Sequence, residues 1–257
     1  MTKTEATRKT AVYVYGIVPA DVQPTAGARG VGDPPADVTI VRRGEIAALV
    51  STVETDHPLG KPEDLRAHEQ LLDATAEQAP VLPMRFGAVL TDEDAVAEEL
   101  LAEHHDEFAG ALEQLEGHAE YVAKGRYVED VVLHQLLEQN PQAATLRERI
   151  RRQTEDASRP DRIALGEIIN NAITRMREQD SQRVAEALDQ LALEVSVRPA
   201  THELDAFQVA CLVETARERE LEDAMQQIAD QLGNHVEVRL LGPVAPWDFV
   251  VTTKPET

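Results

Sequence analysis

The chain has little of what a secreted, membrane-spanning or nucleic-acid-binding protein needs. Its 257 residues include one cysteine, Cys211, which excludes an intrachain disulfide framework and is typical of a reducing cytoplasm. No stretch approaches the roughly 20 apolar residues of a membrane span. Lys and Arg number only 25 against 47 Asp and Glu, so the formal net charge is -22. Cationic surface for nucleic acid or an anionic membrane is therefore scarce, and we expect neither as a partner.

Sequence motifs of common enzyme chemistry are also missing. The glycine-rich GARGVGDPP lacks Gly-Lys-Ser/Thr and does not open a helix, which favours a surface loop over a phosphate loop. Cys211 lies on the apolar face of a predicted strand, where a thiol is usually a packing residue. His104 and His105 lie among carboxylates, but neighbouring helix positions point about 100° apart, which favours boundary histidines over a metal site. We therefore expect no catalytic residue, metal or cofactor.

Patterning predicts strands first in the chain, after a flexible tail over residues 1–10. The segment AVYVYGIV (11–18) is apolar on both faces, which predicts an interior strand with Tyr13, Tyr15 and Ile17 on one face. Residues 38–53 predict two further strands joined by a turn at Arg43-Gly44.

Two amphipathic helices are predicted next. The first covers residues 61–80, with Pro62 at its first position and Pro80 at its end. Its apolar face is marked by Leu65, His68, Leu72 and Ala79. Thr91 and Asp94 predict a capping box for the second helix, which Gly117 can end.

The second half of the chain predicts a sheet with helices. A strand over 118–124 is followed by helical segments, including a long pattern from Asp161 to about Glu194 that is either continuous or a hairpin. A strand, helix and strand complete a split, ferredoxin-like sheet. We therefore predict an α+β fold with two domains: residues 11–117, and a ferredoxin-like domain over 118–257 with a helical insertion at about 130–195.

The segment APVLPMRFGAVLTDED (79–94) places Arg85 alone in an apolar run. A guanidinium there must find an acceptor, reach solvent or meet a partner. The flanking prolines and Gly87 predict a rigid passage between two helices, and Asp92 or a neighbouring acid could accept from Arg85. A structural role is favoured on these grounds, and a partner contact is the alternative.

The C-terminal segment LLGPVAPWDFV combines a proline-rich turn with Trp247 and Phe249. Docking of this segment onto its own sheet is favoured, and an aromatic contact for a partner is the alternative. Across the chain, the candidate structural or partner-contact residues are Pro83, Met84, Arg85, Phe86, Gly87, Trp247 and Phe249.

Three segments together resemble the gas vesicle protein F/L family (GvpF/GvpL). They are YVYGIV near the start, VLPMRFGAVL after the first helix, and the terminal Gly-Pro-x-x-Pro-aromatic-x-Phe. The resemblance runs from about Ala11 to Val250, and VLPMRFG is its most specific part. Members of the family commonly end in Gly-Pro-Trp-Pro-Pro-Tyr-Ser-Phe, whereas four of these positions differ here.

The resemblance implies an accessory protein of gas vesicle formation rather than an enzyme. Its implied fold has two α+β domains, the second a modified ferredoxin-like domain. Its implied partners are the small hydrophobic major shell protein and other accessory proteins, in the cytoplasm and at the gas vesicle. The alternatives are a minor structural component of the vesicle and a small-ligand-binding domain or enzyme.

Overall fold

This computed structural model describes residues 9–25, 27–56 and 59–250. They form two units. The first contains the described residues up to Glu120 together with 242–250, and the second is Tyr121–Leu241. The division lies close to the predicted boundary after residue 117. Residues 242–250, however, group with the first unit because Ala245 is fully buried in its core. Most of the predicted tail over residues 1–10 lies outside the described residues, and Thr10 already begins a strand.

The sheet of the first unit has five strands: β1 (Thr10–Pro19), β2 (Thr39–Arg43), β3 (Ile46–Glu54), β4 (Leu82–Pro83) and β5 (Val89–Leu90). Their order is β2-β3-β1-β4, and β5 also pairs with β1. The predicted interior position of β1 is confirmed, as is the hairpin of β2 and β3 around Arg43-Gly44.

One face of β1 differs from the simple alternation that the sequence predicts. The register with β3 shifts between Val14 and Gly16, so that Val18 rather than Ile17 joins Tyr13 and Tyr15 in one core cluster. A bulge changes the side-chain phase, which period-two counting cannot detect. Gly16 is required here, because a Cβ atom would lie 2.8 Å from the Leu82 carbonyl oxygen.

The helices of the first unit are α1 (Pro62–Ala76), α2 (Glu93–Ala95) and α3 (His105–Leu115), with a π-helical segment at Val96–Ala102. The predicted second helix is therefore interrupted. The predicted capping box with Thr91 is wrong: the Asp92 carboxylate caps α2 by accepting from the Ala95 N–H at 2.8 Å. A carboxylate accepts from a helix N-terminus at least as well as a hydroxyl, so the cap lies one residue later.

The second sheet consists of β6 (His118–Tyr127), β7 (Glu194–Val197), β8 (Asp205–Glu214) and β9 (Val236–Val244). Its helices are α4 (Glu129–Gln139), α5 (Pro141–Arg152), α6 (Arg159–Asp189) and α7 (Glu218–Leu232). The antiparallel order β7-β8-β6-β9 is that of a ferredoxin-like sheet in which α4, α5 and α6 replace the first crossover helix. The predicted α+β class is confirmed.

The long helix α6 is continuous over 31 residues and does not form a hairpin. Its Asp180 carboxylate is buried and accepts a hydrogen bond of 2.8 Å from the Tyr127 hydroxyl on β6. Arg177 donates to the backbone carbonyls of Glu203 and Asp205 at 2.7 Å. These bonds hold α6 against the sheet. Within the described residues, no helix is both long and apolar enough to cross a membrane.

Gly125 on β6 tests the packing between β6 and β8. A Cβ atom there would lie 2.2 Å from the Phe207 ring, and Phe207 is only 2% exposed. Gly125→Ala is expected to lower the free energy of unfolding by about 2 kcal/mol, because a buried ring must move. Gly166→Ala on α6 is the control: it meets no atom within 4 Å and should slightly stabilise the helix. Equal urea midpoints for both variants would contradict this packing.

Candidate functional site

The segment 84–87, between β4 and β5, is a loop held at both ends on β1. The Met84 N–H donates to the Tyr15 carbonyl at 2.8 Å, and the Val14 N–H donates to the Ala88 carbonyl at 2.9 Å. Because both anchors are backbone bonds to an interior strand, the ends of the loop are fixed while its middle projects from the sheet.

A turn inside this loop determines which side chains project. The Ala88 N–H donates to the Arg85 carbonyl at 3.2 Å, and Gly87 has a φ of 91°, in the left-handed region that favours glycine. Arg85 and Gly87 are exposed, whereas Met84 and Phe86 are half-buried. This backbone conformation of Gly87 allows the chain to turn sharply within the loop.

His68 on α1 holds the loop in place through a chain of hydrogen bonds. Its Nε2 lies 3.1 Å from the Met84 carbonyl oxygen, and its Nδ1 lies 3.0 Å from the Tyr13 hydroxyl. The Gly87 N–H donates to the same hydroxyl at 3.1 Å. Since a carbonyl can only accept, the proton is on Nε2, and the Tyr13 hydroxyl donates to Nδ1. His68 and Tyr13 together hold both ends of the loop.

Burial favours the neutral form of this histidine. Desolvation lowers the pKa of His68 from 6.5 to about 4, and the hydrogen bond to the Met84 carbonyl opposes part of the shift. Burial likewise raises the pKa of the Tyr13 and Tyr15 hydroxyls. The tautomer deduced from the hydrogen bonds and the neutral charge state are therefore consistent.

Five rings from four parts of the chain form one cluster around His68. Its ring centroid lies 5.7 Å from each of the Tyr13, Tyr15, Phe86 and Trp247 centroids. Tyr13 also lies 4.8 Å from Tyr15 and 5.9 Å from Phe86. Two candidates that are far apart in sequence, Phe86 and Trp247, thus contact the same imidazole.

The C-terminal segment reaches this cluster through bonds within the first unit. The Ala245 N–H donates to the Asp73 carboxylate on α1 at 3.0 Å, and the Asp248 N–H donates to the Glu120 carboxylate at 3.1 Å. Trp247 lies between these two anchors. The segment therefore docks against α1 and the core of the first unit through Ala245, and against Glu120 at the start of β6 through Asp248.

Large apolar side chains remain exposed around the cluster. Among the described residues of the first unit, three are exposed: Leu65 at 42%, Val89 at 44% and Trp247 at 36%. Leu65 lies one helical turn before His68, Val89 is paired with Tyr13 across the sheet, and the Trp247 ring contacts the His68 ring at a tilted angle of 42°. All three therefore border one cluster. The prediction that Leu65 belongs to the buried face of α1 is wrong.

Arg85 is exposed beside these apolar groups. Its guanidinium makes no hydrogen bond or ion pair with any residue in 9–25, 27–56 or 59–250. The sequence favoured Asp92 or a neighbouring acid as the acceptor for Arg85. No described residue has this role, and the Asp92 carboxylate instead caps α2. We call Arg85, Phe86, Trp247, Leu65 and Val89 the aromatic surface.

The other candidate residues have different positions. Pro83 is buried in β4, where it pairs with Gly16 of β1, and Met84 contributes its backbone to the loop. Phe249 is half-buried and makes no ring contact within the described residues. Sequence reasoning missed His68 as a positioning residue. Its place in the apolar stripe of α1 was the available signal, since a histidine there must find hydrogen-bond partners.

The neighbouring histidines His104 and His105 each lie beside one carboxylate. Their Nδ1 atoms lie 3.4 Å from Glu107 and 3.2 Å from Asp106, respectively. The described residues contain no group of three or more His, Cys, Asp or Glu side chains arranged to hold a metal ion.

Comparison with known proteins connects this arrangement to one family. The sequence profile of the family described as "Gas vesicle synthesis protein GvpL/GvpF" matches residues 11–251. Gas vesicle protein F of Streptomyces sp. (strain CB03234) is 33% identical over 241 residues, covering 93% of this chain and 98% of that protein. Gas vesicle protein L of the same strain is 29% identical over 260 residues, covering 92% and 91%.

Solved structures share the fold. The crystal structure of the gas vesicle protein GvpF from Anabaena sp. PCC7120 has a TM-score of 0.75 at 21% identity, covering 95% of this chain and 100% of that chain. GvpF from Microcystis aeruginosa has a TM-score of 0.70 at 22% identity, covering 93% and 98%. Because the family profile spans almost the whole chain, this protein belongs to the gas vesicle GvpL/GvpF family and takes part in gas vesicle formation.

Proposed function

We propose that this protein is an accessory factor that binds the small hydrophobic major shell protein of the gas vesicle at the aromatic surface. The supporting observation is the distribution of exposed apolar side chains in the first unit. Leu65, Val89 and Trp247 all border the His68 cluster, and each residue is at least 36% exposed. Exposed apolar groups around an aromatic anchor are typical of a protein interface.

The physical need for such a surface follows from the shell. A subunit that later faces gas must expose apolar surface, and it would aggregate before assembly without a partner. The net charge of -22 keeps the accessory protein dispersed while it carries an apolar client. An amphipathic helix of the shell subunit is a suitable client segment, because its apolar face can cover Phe86 and Trp247. Binding is transient, before or during nucleation.

Arg85 orients the client. An exposed guanidinium without a partner loses no internal bond when it pairs with a carboxylate or with the carbonyls at a helix C-terminus. Such a contact beside an apolar patch adds specificity, because a client segment without the acceptor leaves the guanidinium poorly solvated. We place this binding in the cytoplasm and at the growing vesicle, and the same surface is available to other accessory proteins.

Binding of purified shell protein tests the proposal. Trp247→Ala is expected to weaken the affinity about 30-fold, since truncating a central aromatic anchor typically costs about 2 kcal/mol. Arg85→Ala should weaken it about tenfold. Two exposed residues outside the surface serve as matched controls: Ile163→Ala on α6, which is 57% exposed, and Arg66→Ala on α1. Unchanged affinity for both test variants would exclude this surface.

The thermal stability of Arg85→Ala distinguishes contact from structure. Since the guanidinium makes no bond within the described residues, the melting temperature should change by less than about 2 °C. A clear fall in melting temperature with unchanged shell-protein affinity would instead restore the structural role for Arg85.

A further inference from the structure

The outer edge of the second sheet has no strand beside it in the described part of the chain. The order β7-β8-β6-β9 leaves β9 paired on one side only. Its side chains are accessible: Arg239 is 75% and Glu237 62% exposed, and Val238 and Leu240 are half-buried. An open edge strand presents unpaired backbone donors and acceptors to which another strand can add.

The alternation along β9 separates two kinds of residue. Glu237 and Arg239 are exposed on one face, while Val236, Val238 and Leu240 are the more buried residues of the other. Glu237 and Arg239 have opposite sign and form an exposed ion pair of 4.0 Å within the strand. A second copy can exchange these partners for its own only in certain registers. A two-fold axis perpendicular to the sheet would keep each residue on its own face and pair two copies of β9 antiparallel.

One register gives favourable side-chain pairs on both faces of the joined sheet. When Val238 lies opposite Val238 of a second copy, Glu237 lies opposite the second copy's Arg239, and the symmetry repeats this pair. Val236 then lies opposite Leu240 on the other face. Moving the centre by one residue places Glu237 opposite Glu237 or Arg239 opposite Arg239, and like charges directly opposite each other are destabilising. The strand is therefore self-complementary in one alignment.

We propose that two copies of this protein associate through their β9 edges in this register and form a continuous eight-stranded sheet. Backbone hydrogen bonds contribute affinity, and the two symmetric Glu237–Arg239 pairs select the alignment. A pairing of about five residues per strand buries little area, so the dimer is weak and reversible, with a dissociation constant in the micromolar range or above. It involves the second unit and does not depend on the aromatic surface.

Sedimentation equilibrium of the full chain up to about 100 µM tests the proposal. Glu237→Arg alone or Arg239→Glu alone places like charges opposite each other and should weaken self-association at least tenfold. The double variant Glu237→Arg/Arg239→Glu should restore it. An equimolar mixture of the two single variants should form a heterodimer at least as readily as the natural chain dimerises, because every pair is then opposite in charge.

A control variant tests whether the change in net charge alone weakens self-association. Glu138→Arg on α4 makes the same charge change at a side chain that is 67% exposed, and it should leave self-association unchanged. The charged positions on β9 are exposed, so circular dichroism should show all variants folded. A protein that stays monomeric up to the highest concentration overturns the proposal. A dimer that ignores the charge reversals also overturns it, because its interface then lies elsewhere.

Discussion

Replacing His68 with glutamine is expected to remove a loss of stability that the natural protein suffers as the pH falls. In the folded chain, the pKa of His68 is lowered by burial from 6.5 to about 4. Between these values, the unfolded chain takes up a proton that the folded chain does not. The contribution of neutral His68 is therefore fully present above pH 6.5 and is lost as the pH falls toward 4.

The magnitude follows from this difference in pKa. From about pH 7.5 to about pH 4.5, the free energy of unfolding should fall by about 2 to 3 kcal/mol through His68 alone. His68→Gln should be less stable at the higher pH, because Tyr13 and the Met84 carbonyl lose well-placed partners. The two proteins should then converge in stability as the pH is lowered.

Urea unfolding at a series of pH values measures the convergence. Carboxylates titrate in the same range, so only the difference between the natural chain and the variant is informative. His134→Gln is the matched control, because this histidine is on α4 with 72% of its side chain exposed. A constant stability difference between the natural chain and His68→Gln at every pH would show that His68 is not buried in its neutral form.

The same protonation should loosen the 84–87 loop. The Nδ1 of a charged imidazole is a donor, so it competes with the Gly87 N–H for the Tyr13 hydroxyl oxygen, and the hydroxyl proton loses its acceptor. Amide hydrogen exchange at Gly87 should accelerate at low pH relative to the exchange expected from intrinsic rates. The aromatic surface depends on this loop, and shell-protein binding through Phe86 should weaken in parallel.

Ending the chain after Leu241 is expected to destabilise the first unit much more than the second, whose sheet loses only the last three residues of the edge strand β9. The change removes Ala245, which is fully buried in the first core, and Trp247, whose ring contacts that of His68. It also leaves the Asp73 carboxylate without the Ala245 N–H donor. Lost apolar burial and a lost hydrogen bond to a charged group together amount to about 4 kcal/mol.

A chain that ends at Val250 is the reference, so that both proteins lack residues 251–257. Hydrogen exchange read by mass spectrometry should show reduced protection in α1 and β1. Protection of α7 and β8, in the second unit, should stay the same. Loss of protection confined to the second unit would contradict the assignment of residues 242–250 to the first core.

Local patterns in the sequence predicted much of the fold. The helical spacing of Leu221, Met225, Ile228 and Leu232 predicts one apolar face, and all four are buried in α7, which Gly233 ends with a φ of 66°. The β2–β3 hairpin was equally predictable, and β8 forms the predicted strand, although residues on both of its faces are buried. Such features depend on residues a few positions apart, which periodicity and turn chemistry report directly.

Features that depend on neighbouring elements in the fold could not be predicted from local sequence patterns. The bulge in β1 changed the face of Ile17, the Asp92 cap replaced Thr91, and Leu65 proved to be exposed. The first and third outcomes depend on what packs opposite the residue: β3 for the bulge, and the cluster around His68 for the exposed edge of α1. Sequence patterning treats one element at a time and has no information about its neighbour.

The sequence by itself determined the α+β class, the strongly acidic surface and the VLPMRFG segment that resembles the family. Only the tertiary structure decided that Arg85 is an exposed cation and that Phe86 and Trp247 meet on one histidine. The bonds responsible join residues 55 apart, between Tyr13 and His68, and 172 apart, between Asp73 and Ala245. Such partners are chosen by packing of the whole first unit, because burial and hydrogen-bond satisfaction are properties of the assembled core and not of a local stretch of chain.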